Sequence, residues 1–141
     1  MIALRDMRAL LLGCALVLAS LAHAQDPRET QVQAAAREWL AFTDKLDAAS
    51  SWIRAGEKFR SQLAADPWSK MLKAAREPLG AVQQRAAVGT SFSEDVPGLP
   101  KGTYALLQFR TAFATRAEGH ESLTLELEQD GKWHVIGYFI R

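Results

Sequence analysis

The chain of 141 residues holds a single cysteine, Cys14, and only three histidines. One cysteine forms no intrachain disulfide and no cysteine-based metal site, so packing has to hold the fold. Neither sign of charge is in excess: 17 Lys and Arg stand against 16 Asp and Glu. A nucleic-acid binder presents a basic face, and these charges are interspersed without blocks, so nucleic acid is not expected as a partner. No apolar run reaches the roughly 20 residues of a membrane-spanning helix. Reactive signatures are also missing: there is no G-x-S-x-G nucleophile turn, no glycine-rich phosphate loop and no H-x-x-x-H pair. His120 and His134 fall short of the three or four converging ligands of a zinc site. No metal and no cofactor are therefore expected.

What is present begins at the N-terminus. Arg5 and Arg8 precede an almost wholly apolar stretch, Leu10 to Leu21, and Ala22-His23-Ala24 closes it with small residues. A basic start, a short apolar run and an A-x-A site make a secretory signal. Residues 1–24 are read as a bacterial signal peptide cleaved after Ala24, which sends the mature chain to the periplasm or the medium without a transmembrane segment. Leu11-Leu12-Gly13-Cys14 resembles a lipoprotein box. Too few apolar residues precede Cys14, however, and a long apolar run follows it where a lipoprotein has a polar linker. Cys14 therefore reads as part of the apolar run, with lipidation the disfavoured alternative. Cleavage removes the sole cysteine and leaves 117 residues with 15 basic and 15 acidic side chains. That is enough chain for one core.

Residues 25–30 (QDPRET) are polar and read as a flexible mature N-terminus, and 31–141 read as a single domain. Val32, Ala36, Trp39, Leu40, Thr43 and Leu46 recur at helical spacing. Ser50 and Ser51 are N-cap candidates for a second helix carrying Trp52, Ala55, Phe59 and Leu63. Asp66-Pro67 opens a third, with Trp68, Met71, Leu72 and Ala75 on one stripe and Pro78 and Gly80 as its stop. The period then changes to two. Strands are expected at Val82–Phe92, Tyr104–Thr115, His120–Glu128 and Lys132–Arg141, with a Pro- and Gly-bearing loop at 93–102.

Asp130-Gly131 marks a hairpin. A three-residue loop with Gly131 left-handed pairs Glu128 with Lys132 and puts Leu123, Leu125 and Leu127 on one face with Trp133, Val135, Gly137 and Phe139. A two-residue loop would scatter these residues, and register follows the buried face. The bulged turn is therefore favoured. It places His134, Ile136, Tyr138 and Ile140 on the opposite face with Leu106 and Tyr104. A patch that apolar points to a partner, so Leu106, Ile136, Tyr138 and Ile140 are the expected contact of a sheet-to-sheet homodimer, unless helices or the long loop cover it.

Helices followed by a four-stranded antiparallel meander are an α+β arrangement. Several runs resemble the bacterial secreted family known as domain of unknown function 4019 (DUF4019). They are Arg76-x-Pro78-Leu79-Gly80, Arg85, Leu99-Pro100-x-Gly102-x-Tyr104, Glu121-Ser122-Leu123-Thr124-Leu125, Asp130-Gly131-x-Trp133 and Gly137-Tyr138-Phe139. The likeness runs from about Trp39 to Arg141. The arrangement also looks like the cystatin-like, or nuclear-transport-factor-2-like, cone, in which helices (here three N-terminal ones) pack into a curved four-stranded sheet. That superfold hosts enzymes, ligand binders and dimer modules, so the likeness selects no function.

Glu121 shares strand parity with Leu123 and should face the helices. A carboxylate there is paired, hydrated or perturbed. It is the candidate general base of a small lyase or isomerase; the alternative is an ion pair with an arginine such as Arg76. Arg76, at the end of the third helix, could clamp an anionic ligand or stabilise the helix terminus. Trp52 and Phe109 are candidate apolar lining of the same pocket. Arg85 has the opposite parity to Val82 and Val88 and reads as a strand-face residue. The leading expectation is a non-enzymatic domain that binds a small apolar or amphipathic ligand or a protein, and the lyase is the alternative.

Overall fold

A computed structural model describes residues 26–141, so the expected signal peptide at 1–24 and Cys14 lie outside the described residues. Among the described residues the fold is α+β: four helices, α1 (Pro27–Asp44), α2 (Ala48–Arg54), α3 (Glu57–Gln62) and α4 (Ala65–Arg76), a 3₁₀ turn at Glu77–Leu79, then strands β1 (Val82–Ser93), β2 (Tyr104–Phe113), β3 (Arg116–Leu127) and β4 (Trp133–Ile140). The sheet is an antiparallel meander in the order β1-β2-β3-β4, consistent with the cone description. No helix among the described residues is long and apolar enough to cross a membrane.

The helices differ from expectation in three places. First, α1 starts at Pro27, so most of the segment expected to fray is its first turn. Asp26 caps it, accepting from the Arg28 N–H at 2.9 Å, and Pro27 sits where its missing N–H costs nothing. Second, Asp47 rather than a serine caps α2, accepting from the Ser50 N–H at 3.0 Å. Ser51 is buried instead and serves two tryptophans: its carbonyl accepts from Trp39 Nε1 (2.8 Å) and its hydroxyl from Trp68 Nε1 (2.9 Å). Third, the expected second helix is two helices, broken at Ala55-Gly56. Both residues are extended, and the Gly56 N–H donates to the Val135 carbonyl at 2.7 Å. The break lets the backbone close on β4 at a point where a Cβ on Gly56 would lie 2.7 Å from Ile136 Cγ2.

The core lies between the helices and the inner sheet face. Val32, Ala36, Trp39 and Leu40 of α1 and Trp68 and Leu72 of α4 meet Leu107, Phe109, Leu123, Leu125 and Val135. Trp39, Phe59, Trp68 and Tyr138 form an aromatic cluster, with Trp39–Tyr138 centroids 5.2 Å apart and Phe59–Trp68 5.0 Å apart, both edge-on. Such pairs contribute about 0.5–1.5 kcal/mol each beyond area burial.

The hairpin has the bulged register. Leu127 pairs with Trp133 and Leu125 with Val135, the Glu128 N–H donates to the Lys132 carbonyl at 3.0 Å, and Gly131 has φ +75°. Beyond Val135 the expected faces fail. The register shifts between Leu125 and Thr124, so Gly137 opposes Thr124 and Tyr138 opposes Leu123. One extra residue, Ile136, moves every later side chain of β4 to the other face. Tyr138 and Ile140 thus join the inner side with Leu123 and Glu121, and Phe139 points outward, 61% exposed. Of the proposed dimer contacts, Leu106 alone sits on the open outer face. Ile136 lies at the bulge against Gly56. Tyr104 is also covered, since its hydroxyl donates to the Pro100 carbonyl at 2.6 Å beneath the long loop.

Candidate functional site

Two bulges in β1, at Val82/Gln84 and Ala87/Gly89, change its parity. Arg85, expected on the strand face, turns inward, opposite Thr111. There it joins Glu121 on β3, Asp44 at the end of α1, Arg76 at the end of α4 and Tyr138 on β4. Glu121 is 0% exposed. Its Oε1 accepts from Arg85 Nε at 2.8 Å and from the Thr111 hydroxyl at 2.5 Å, and its Oε2 accepts from the Tyr138 hydroxyl. Arg85 also grips Asp44 with both terminal nitrogens, Nη1 to Oδ2 and Nη2 to Oδ1, each at 2.8 Å. This is the bidentate fork that favours Arg over Lys.

Arg76 completes the cluster. Its Nη2 donates to Asp44 Oδ1 at 2.8 Å, and its Nη1 donates to the Thr43 hydroxyl at 3.1 Å and more weakly to the Tyr138 hydroxyl at 3.4 Å. The guanidinium lies 5.1 Å from the Phe113 ring centroid, within cation–π range. Arg76 Nε is buried without a hydrogen-bond partner. The expected ion pairs therefore exchange partners: the arginine on Glu121 is Arg85, and Arg76 takes Asp44. Asp44 and Arg85 are the members that sequence reasoning missed. Arg85 carried a signal, being one of the residues in the DUF4019 resemblance, but its parity argument assumed an unbulged strand.

Two arginines and two carboxylates balance. Burial alone would raise the pKa of Asp44, but hydrogen bonds from Arg85 and then Arg76 outweigh it and hold the carboxyl below its ordinary value. Burial likewise opposes the charge on Arg85, and the bonds and charges of Asp44 and Glu121 overcome it, leaving its pKa raised. Burial, then the negative charge of Glu121, pushes the Tyr138 hydroxyl well above its usual value. A general base must come within hydrogen-bond reach of a substrate proton. Glu121 is enclosed, and both of its oxygens accept from protein donors.

The candidate ligand residues do not form one pocket. Phe109 stands opposite Glu121 in register but is sealed in the core, with Arg37 stacked 5.1 Å from its ring centroid. Trp52 is tied to the end of α3 through Nε1 and the Leu63 carbonyl, 2.7 Å apart. His134 Nε2 lies 2.7 Å from Asp130 Oδ2, and this bond, with the Lys132 N–H, holds the Asp130 carboxyl below its ordinary value. Among the described residues no three His, Cys, Asp or Glu side chains converge as a metal site.

Shallow depressions of about 290 Å³ beside Asp44 and Arg76 and about 620 Å³ beside Arg85 touch the edge of the cluster, and neither has Glu121 in its lining. A groove of about 290 Å³ runs between α1 and the start of β4, with Trp39, Phe42 and Trp133 as its apolar lining and Glu38, Arg54 and Lys132 at its rim. It is near the lower end of ligand-site volumes.

The comparisons agree with the resemblance read from the residues. The sequence model of a family described as "Protein of unknown function (DUF4019)" matches residues 35–138. No curated protein matches the chain.

Proposed function

Taking as premise that the chain belongs to the DUF4019 family, we propose that it is an exported, non-catalytic binding domain whose contact site is the α1–β4 groove. The observation that carries this reading is the internal pairing of the Asp44–Arg76–Arg85–Glu121 cluster around an enclosed Glu121. Its charges balance and its carboxylate oxygens accept from protein donors, which supports reading it as a brace between the helix ends and the sheet. The groove, by contrast, offers aromatic surface and rim charges to a partner. Export is supported by the layout of residues 1–24.

Native mass spectrometry of the protein purified from the periplasm tests both halves. The expected result is a chain starting at Gln25 that carries a non-covalent adduct, and this adduct is lost in Trp133→Ala but retained in Glu121→Gln. A bare chain that binds nothing in a fragment screen by ligand-observed NMR would overturn the binding reading. Retention of residues 1–24 in the cytoplasm would overturn export. Association of two copies stays within the proposal, now resting on outward Leu106 and Phe139; sedimentation at micromolar concentration tests it, and a strict monomer removes it.

A further inference from the structure

Among the described residues strand β4 ends the sheet, so one of its edges has no strand beside it. In an antiparallel strand the backbone groups point alternately to the neighbour and away from it. Glu128 and Lys132 are bonded across the hairpin, whereas the Leu127 N–H turns away from β4 to the Thr103 carbonyl at 2.9 Å. Trp133 and Val135, the partners of Leu127 and Leu125, therefore aim their N–H and C=O groups at the free edge. The molecule already uses one rung of that edge. The extended Ala55-Gly56 segment lies against it, and the Gly56 N–H donates to the Val135 carbonyl at 2.7 Å. The rungs towards the hairpin stay open, and there the groove runs along the edge, walled on its other side by α1.

The rim charges are unequal. Within the groove lining Arg54 and Lys132 meet one acid, Glu38, whose 3.8 Å contact with Arg54 joins two largely exposed side chains. Such a contact contributes little. Asp130, beside Lys132 but outside the lining, is taken up by His134 and the Lys132 N–H. An incoming carboxylate is favoured.

We propose that the groove takes an extended acidic segment of another protein by strand addition. The segment's backbone pairs with the Trp133 N–H and C=O and the Val135 N–H, up to the Val135 carbonyl that Gly56 holds; one apolar side chain rests on Trp39 and Phe42, and an acidic one meets Arg54 and Lys132. Main-chain bonds supply affinity in this mode and alternate side chains supply specificity. The inference rests on the groove being the binding site.

The test titrates the isotopically labelled protein, expressed from its full chain, with a capped heptapeptide of alternating valine and glutamate. Saturable shifts of the Trp133 and Val135 amides are expected. Exchanging glutamate for lysine in the peptide weakens binding about fivefold, the effect of two exposed ion pairs, and so does Arg54→Glu. N-methylation along the peptide's pairing edge abolishes binding and leaves the protein untouched, so it decides the matter even if Arg54→Glu does not fold. Binding indifferent to N-methylation, shifts that follow protein concentration rather than peptide (a second copy on the edge), or no shifts at all overturn the inference. A small molecule found in the groove, with the peptide inert, overturns strand addition and leaves the binding-domain reading standing.

Discussion

Replacing Arg85 by methionine keeps most of its volume and removes its charge. The consequence falls on Glu121, which is 0% exposed and would be left with two hydroxyl donors, Thr111 and Tyr138, and no cation. Asp44 would keep Arg76. Breaking a buried pair by deleting one partner costs about 3–5 kcal/mol, because the surviving charge is uncompensated. Domains of this size are stable by about 5–15 kcal/mol, so the loss is a large fraction of the whole. With a urea slope of about 1.5 kcal/mol per molar, the midpoint should fall by roughly 2–3 M. Tryptophan fluorescence reports it, since Trp39 and Trp68 are buried beside the cluster's Tyr138. The control is Arg85→Met combined with Glu121→Gln. Both charges of the pair are then gone while Asp44–Arg76 remains balanced, and most of the lost stability should return, because a buried pair replaced as a unit is close to neutral. A single variant that costs less than about 1 kcal/mol, the size of an ordinary substitution, would show that the pair does not brace the fold. So would a double variant as unstable as the sum of the singles.

Two further outcomes follow from the same structure. Because the carboxyl of Asp44 is held below its ordinary pKa, its folded form binds a proton less readily than its unfolded form. Its contribution is therefore complete above the unfolded pKa of about 4 and is lost as pH falls through the lower folded value; urea midpoints should decline below about pH 4, and Asp44→Asn should flatten that part of the curve. Gly56→Ala should cost about 1–3 kcal/mol by overpacking, since the new methyl would lie 2.7 Å from Ile136 Cγ2 and 2.8 Å from Glu128 Oε2. A thermal melt matching the parent protein would refute the close approach of the α2–α3 break to β4.

Elements whose cause is local were legible in the sequence. The helical stripes of α1 and α4, the alternation of β3 and the Gly131 turn each depend on residues within a few positions of one another. The hairpin register followed from the buried face alone, and Leu127 does pair with Trp133. Glu121 was legible too, because its parity with Leu123 places it inside whatever its partner is.

The tertiary structure decided the rest, through single-residue shifts that carry no composition signal. The extra residue at Ile136 turned Tyr138 from a surface contact into a hydroxyl donor for Glu121. The β1 bulge between Val82 and Gln84 turned Arg85 from the strand face onto Asp44 and Glu121. A period of two makes side-chain direction depend on every preceding residue, so one bulge reverses all that follows it. Where a strand bulges is set by what it must meet across the fold: the α2–α3 break beside Ile136, and the helix ends above Arg85. The sequence alone determined the helical stripes of α1 and α4, a meander and an inward glutamate. Only the packed structure determined which arginine neutralises that glutamate, because the choice rests on contacts between residues as far apart as Asp44 and Arg85.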